Sequence, residues 1–258
     1  MDLKFFDAHC HLQLSQFDID RAEVLERMEE GHFGGVVVGV DFATSREALE
    51  LAEQYGFLWA AVGLHPHDNV AEEFDMTIYR ELAADPKVVA IGECGLDYFR
   101  SGTTDEERDA QKHRFESQIA LAVEVGKPLI IHCRDAHDDM LAILKEHTGT
   151  HPELKVIIHF FTGTGELAQQ YLDLGCYLSF PGPITYADMY DESIRVAPLD
   201  KILSETDSPF AAPVPFRGKR NEPVYVEEVV KKIAAIKGVS VDAMAAQILE
   251  NAKKVFGV

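Results

Sequence analysis

No stretch of 18 apolar residues occurs anywhere in the 258-residue chain, which excludes a membrane-spanning helix. Cysteine is scarce and scattered: Cys10, Cys94, Cys133 and Cys176 form no C-x-x-C pair. That spacing excludes a disulfide framework or a structural zinc knuckle and fits a reducing cytoplasm. The opening residues Met1-Asp2-Leu3-Lys4 lack a basic segment followed by an apolar one, so no secretory signal is expected. Positive charge is short as well, with 24 Lys and Arg against 44 Asp and Glu, a net charge of −20. Such a chain does not coat polyanions by bulk electrostatics, although a local cationic site stays open to it. There is no Gly/Ser-rich linker, low-complexity tract or internal repeat, so one domain over residues 1–258 is the simplest organisation.

What is present is a globular composition, 47% hydrophobic and 26% charged. Apolar or β-branched runs recur at Phe5–Ala8, Val36–Val40, Leu58–Val62, Val88–Ile91, Pro128–Ile131, Val156–Ile158, Cys176–Phe180 and Lys201–Leu203. Near-continuous apolar strands suit a parallel sheet covered on both faces. Helical patterns lie between them. The clearest is Thr104–Val125, opened by Thr104 and Glu107 at capping-box spacing and stopped by Gly126 and Pro128. A second stripe, Val226, Val229, Val230, Ile233 and Ile236, lies near the C-terminus. Eight strands alternating with helices over about 250 residues predict an α/β fold of the TIM-type (β/α)8 class, a single barrel. A doubly wound open sheet is the alternative, because periodicity does not show closure.

The chemistry follows the strands. After the first comes Asp7-Ala8-His9-Cys10-His11, and residues two apart in an extended segment point the same way, so His9 and His11 can face one ion. Later strands end in Gly63-Leu64-His65-Pro66-His67, Gly92-Glu93-Cys94-Gly95-Leu96-Asp97, His132-Cys133-Arg134, Ile158-His159 and Glu205-Thr206-Asp207-Ser208-Pro209. A lone His-x-His or a single strand-end Asp is ordinary capping chemistry. Six such groups at the same place in the βα rhythm would converge on the C-terminal mouth of a barrel, where active sites lie. The neighbouring Cys10, Cys94 and Cys133 alternate with these residues and are expected to point outward as core fillers rather than as thiolate ligands.

These motifs together, extended by His132-Cys133-Arg134-Asp135-Ala136, Arg217-Gly218-Lys219-Arg220-Asn221-Glu222-Pro223 and Asn251 with Val255-Phe256-Gly257, resemble the TatD family of metal-dependent deoxyribonucleases. The resemblance spans essentially the whole chain. Two departures occur: His159-Phe160-Phe161 replaces a common His-Cys-Phe, and Phe210 stands where a Tyr is common. The resemblance implies a distorted amidohydrolase-type barrel with two divalent metal ions, hydrolysing phosphodiesters of DNA, often from the 3′ end. It assigns His9, His11, Glu93 and Asp207 to one metal and Glu93, His132 and His159 to the other, with Glu93 bridging. Imidazole and carboxylate ligands suit Zn or Mn and suit Mg less well. Asp207 and Glu93 are then the catalytic carboxylates, Asp207 accepting a proton from the attacking water.

A substrate of negative phosphates needs local cations. Arg217, Lys219 and Arg220 follow the eighth strand, where barrels often place phosphate sites, and His65, Arg100 and Arg134 follow earlier strands. Arg220 pairing with Glu222 is the bland counter-reading of that loop. The expected partners are DNA ends or other phosphodiesters, with no membrane and no obligate protein partner. A small-molecule amidohydrolase using the same metals is the competing function, and a non-catalytic binding protein a third.

Overall fold

Eight parallel strands run in sequence order around one sheet, β1-β2-β3-β4-β5-β6-β7-β8. The computed structural model describes residues 2–67, 72–99 and 104–258; Arg100 lies outside them. In chain order the first half contains β1 (Phe5–Cys10), α1 (Arg21–Glu30), β2 (Phe33–Val38), α2 (Phe42–Gln54), β3 (Leu58–Val62), α3 (Met76–Ala83), β4 (Val88–Asp97) and α4 (Asp105–Val125). The second contains β5 (Leu129–Arg134), α5 (His137–Thr150), β6 (Val156–Ile158), α6 (Gly165–Asp173), β7 (Tyr177–Phe180), α7 (Asp191–Val196) and β8 (Ile202–Ser204). Two further helices, α8 (Val226–Lys237) and α9 (Val241–Phe256), close the chain. Sequential strand order removes the doubly wound alternative, which requires the order to reverse. No helix among the described residues is long and apolar enough to cross a membrane.

Local chemistry accounts for the elements. Thr104 caps α4 in the expected capping box, its hydroxyl accepting from Glu107 N–H while the Glu107 carboxylate accepts from Thr104 N–H. Gly126 stops that helix in the left-handed conformation. Two apolar layers result. Phe6, Ala8, Val36, Val38, Ala61, Ala90, Ile130, Ile157 and Leu203 fill the inside of the barrel, and alternating neighbours such as Val37, Ala60, Leu129 and Ile131 pack outward with the helices. Ala252, Val255 and Phe256 of α9 join the inner layer and plug the N-terminal end, with the Phe256 ring 6.0 Å from that of Phe6.

The barrel does not close through a full ladder. Between β8 and β1 the backbone bonds come from the turn after β8: His11 N–H donates to Ser208 O (2.7 Å) and Asp207 N–H to His9 O (2.9 Å). The buried Asp7 carboxylate reinforces this seam by accepting from the Thr206 N–H and hydroxyl. The nearly closed barrel is therefore stitched at the place where ligand-type residues gather.

Strand limits depart from expectation in two informative places. β2 begins at Phe33 and includes Gly34 and Gly35, which a hydrophobic run does not reveal. β4 continues six residues past Ile91 to Asp97, so Glu93 lies inside a strand rather than after one.

Because Phe256 closes the barrel floor, Phe256→Ala is expected to cost about 3 kcal/mol. Urea unfolding read by circular dichroism checks this; a change under about 1 kcal/mol would mean that α9 is not a plug.

Candidate metal centre

Both strands that carry the first ligand-type residues are out of simple register. Three steps along β1, from Asp7 to Cys10, match two along β2, from Gly35 to Val37. Likewise Ile91 to Cys94 in β4 matches Leu129 to Ile131 in β5. An extra residue flips the pleat that follows it. Phe6 and Ala8 face the barrel interior, and without the bulge His9 and His11 would face the helices. With it they face the mouth, while Cys10 and Cys94 join the outer layer. Two glycines flank Glu93: a Cβ on Gly92 would lie 2.4 Å from Ile130 O, and one on Gly95 would lie 2.1 Å from His132 O, so only glycine lets β4 and β5 approach this closely.

Glu93 is the hub, 4% exposed, and its two oxygens serve different sets. Oε2 lies 3.3 Å from His9 Nε2 and 3.8 Å from His11 Nε2. Asp207 Oδ1 completes that set at 3.8 Å from His9 Nε2 and 3.4 Å from His11 Nε2. Oε1 lies 2.9 Å from His132 Nδ1, 3.4 Å from His159 Nε2 and 3.5 Å from His65 Nε2. Tetrahedral ligands held about 2.0–2.1 Å from a metal are about 3.3 Å from one another. The donors present therefore fit a divalent cation on each side of Glu93, and triads drawn from both sides fall within 4.8 Å.

Outer partners aim the imidazoles. His11 Nδ1–H donates to Val38 O at 2.8 Å, leaving Nε2 for the cluster. His159 Nδ1 lies 3.0 Å from Glu205 Oε1, and His132 Nε2 lies 3.1 Å from Asp97 Oδ2. Asp97 and Glu205 did not emerge as site residues from the sequence. Their signal was available, since Asp97 follows Glu93 by four and Glu205 precedes Asp207 by two, same-side spacings in extended chain.

Electrostatics follow from burial and crowding. Burial raises the Glu93 carboxyl, but the imidazoles of His159 and His65 and the bonds from His132 and His159 hold it well below the usual carboxylate range. Burial and the neighbouring His159 push His9 down to about 3, and burial pushes His65 down to about 3. His132 loses proton affinity to burial, yet its bonds to Asp97 and Glu93 lift it to about 9. Burial pushes the Cys133 thiol up to about 12, so it is not a thiolate at neutral pH.

The six expected ligands, His9, His11, Glu93, His132, His159 and Asp207, thus come together at one mouth. His65, expected toward substrate, lies within the second ligand group. Arg134 lines the cavity above the cluster, with its guanidinium 3.4 Å over the Phe99 ring. Arg217, Lys219 and Arg220 do not line that cavity. Arg217 stacks on Tyr186 at 4.3 Å, and Arg220 forks onto Asp20 (2.6 and 2.7 Å) and reaches Glu222 (3.1 Å). Glu222 also takes Arg27 of α1 at 2.7 Å. Between them Asn221 is fully buried and donates to Thr206 O (2.8 Å) and Phe210 O (2.7 Å), clasping the turn that bears Asp207. The Arg217–Pro223 segment is, in its buried half, a brace for that turn.

A family model described as TatD related DNase matches residues 6–257. The chain belongs to that family. The metal-dependent hydrolase YabD of Bacillus subtilis (strain 168), itself uncharacterized, is 44% identical over 257 residues, covering 98% of this chain and 99% of its own. The protein named 3'-5' ssDNA/RNA exonuclease TatD of Klebsiella pneumoniae (strain 342) is 35% identical over 267 residues, covering 98% of each. Among solved structures, YJJV, a TatD homologue of Escherichia coli k12, superposes with a TM-score of 0.89 at 30% identity over the whole of both chains. This TatD-family protein is thereby a metal-dependent hydrolase with a TIM-type barrel.

His132 supplies a pH test. In metal-free protein its folded pKa of about 9 exceeds the ordinary 6.5. The stabilisation is complete below about pH 6.5 and is lost as pH rises toward 9, because the unfolded chain gives up that proton first. Chelator-treated protein is therefore expected to lose thermal stability over that window, and Asp97→Asn, which removes one of the two raising partners, to shrink the loss. A flat profile in both would contradict the His132–Asp97 coupling.

Proposed function

We propose that this TatD-family protein uses two divalent metal ions to hydrolyse phosphodiesters at the 3′ ends of single-stranded nucleic acid. The observation that carries the reading is the division of labour at Glu93, whose two oxygens face two imidazole sets. A shared carboxylate offsets the repulsion of two cations about 3.5–4 Å apart and fixes their spacing. The names of relatives such as the Klebsiella exonuclease support the substrate class. Zn or Mn suits the imidazole-rich donors better than Mg.

His9, His11, Glu93 and Asp207 would hold one ion, and Glu93, His132 and His159 the other, with His65 beside the second set. Bound ions acidify a coordinated water and draw charge from the phosphoryl oxygens. The chain's own residues do the remaining work. Asp207 faces the cavity, so its carboxylate can accept the proton of an attacking water. Its backbone is held at φ 55, in the left-handed region, by the bonds across the barrel seam and by Asn221. Arg134 makes no ion pair among the described residues and can meet a phosphate. All four cysteines are unpaired, which supports placement in the reducing cytoplasm.

Metal analysis beside digestion of 5′-labelled single-stranded DNA under Mg, Mn and Zn tests the proposal. Wild type should carry two ions and shorten the strand from its 3′ end. Glu93→Ala should lose both ions and more than about 100-fold of activity, beyond what an outer-shell change costs. Near-native turnover with two ions in that variant would remove the bridging role. Activity on amides or lactones without DNA hydrolysis would favour the small-molecule reading.

The cations give a separate outcome. Arg134→Ala should flatten the log–log salt dependence of single-strand binding by about 0.7. Arg220→Ala should lower thermal stability and leave that slope unchanged. The reverse pattern would return the phosphate role to the loop after β8.

A further inference from the structure

The cavity above the ligand cluster encloses about 830 Å³, room for a ligand of nucleotide size. Its floor is the His–carboxylate cluster, and its walls are strongly aromatic: Phe99, Phe160, Tyr190 and Phe210. Among the described residues that line it, Arg134 is the one Lys or Arg side chain. Phe210 is 48% exposed and Phe99 55%, whereas the other phenylalanines among the described residues are buried or half-buried. Two phenyl rings left open to water at one mouth are costly unless something covers them.

Their placement differs. The Phe99 face is already taken by the Arg134 guanidinium at 3.4 Å. Among the described residues no cation covers the Phe210 ring. It follows Asp207 by three residues, in a turn fixed by its own N–H donating to Asp207 O (2.9 Å) and by Asn221 donating to its carbonyl. Its ring centroid lies 6.2 Å from that of His11, at 64°. One short turn therefore carries both a cluster carboxylate and an open ring, within the base-to-phosphate reach of a single nucleotide.

Beyond the proposed metals, a chain of net charge −20 with one Lys or Arg among the described residues of the cavity has little backbone attraction to offer a polyanion. Base faces are the other recognisable surface of a single strand, and they are out of reach within a duplex. Resting on the nuclease reading above, we infer that Phe210 is a stacking platform for the nucleobase of the terminal nucleotide, and that this stacking makes the enzyme prefer unpaired ends. Affinity then comes from a π-face, with little dependence on base identity.

The test uses metal-loaded enzyme and 5′-labelled single-stranded DNA ending in either a normal 3′ nucleotide or a 3′ abasic tetrahydrofuran nucleotide. Phe210→Ala should raise KM for the normal end about 5- to 150-fold, the range for loss of one stacked base, with a much smaller change in kcat. Wild type should show a similar penalty on the abasic end, and Phe210→Ala should no longer distinguish the two ends. Phe210→Tyr should retain wild-type KM, while Phe210→Leu, which keeps bulk without a π-face, should behave as the alanine variant does. Bound metal is measured on each variant, so that damage to the Asp207 turn is seen directly as lost metal. If wild type shortens DNA but treats abasic and normal ends alike, or if Phe210→Ala weakens both ends equally, the platform is wrong and the nuclease reading stands. If wild type hydrolyses no DNA at all, both fall.

Discussion

A carboxylate removed from water at the top of a barrel is the constraint that orders this structure. Glu93 is ionised and almost fully buried, and an isolated charge there would be strongly unfavourable. Four imidazoles within 3.5 Å of its oxygens answer that cost, and a bound metal would answer it further. Other features follow from it. The register shift in β4 turns Glu93 inward, the matching shift in β1 turns His9 and His11 toward it, and the glycines on either side admit β5 so that His132 can reach. The outer shell is the same requirement one step removed. Imidazoles crowding a carboxylate must present one particular nitrogen, so Val38 O, Asp97 and Glu205 fix the other.

Asp207 poses a different problem, because it comes from a turn and not from the body of a strand. β8 is short, and the barrel is closed by that turn pairing with β1. Closure and the placement of Asp207 are thus one set of bonds. The brace beneath it explains the charged segment after β8. Arg220 spans Asp20 and Glu222, Glu222 spans Arg220 and Arg27, and Asn221 carries that rigidity to Thr206 and Phe210 through two donated hydrogen bonds. These partly shielded ion pairs add modestly to stability; their larger effect is to fix geometry.

Much of this was legible in the sequence, and the limits have physical causes. The strand rhythm was readable because strands covered on both faces are apolar throughout, and the α4 start because a capping box is local chemistry. The candidate ligands were readable because each closely follows an apolar run. Bulges were not, since a register shift depends on the partner strand, and a sequence window contains only one of the two. For the same reason the true extent of β4 was hidden: its upper half is polar and glycine-rich, yet it pairs with β5. Arg220 was misleading because its partner Asp20 is 200 positions away. Asp97 and Glu205 were visible as motif residues, but nothing in their spacing distinguished a carboxylate suited to hold a metal from one that orients a histidine.

The distribution of charge connects these points to function. A chain this acidic repels nucleic acid over most of its surface, so on the nuclease reading encounter and binding would be decided within a few ångströms of the cluster, where bound cations would invert the local sign. Arg220, committed to Asp20 and Glu222, cannot alter that. Long-range repulsion with short-range attraction selects against ligands that need an extended basic groove, such as a duplex lying along the surface. It tolerates a thin, flexible end that can be drawn into a narrow mouth. The aromatic walls are consistent with the same selection, since stacking acts only at contact and is little affected by the field outside. On that reading, the acidity that first argues against a nuclease narrows which nucleic acid the site would accept.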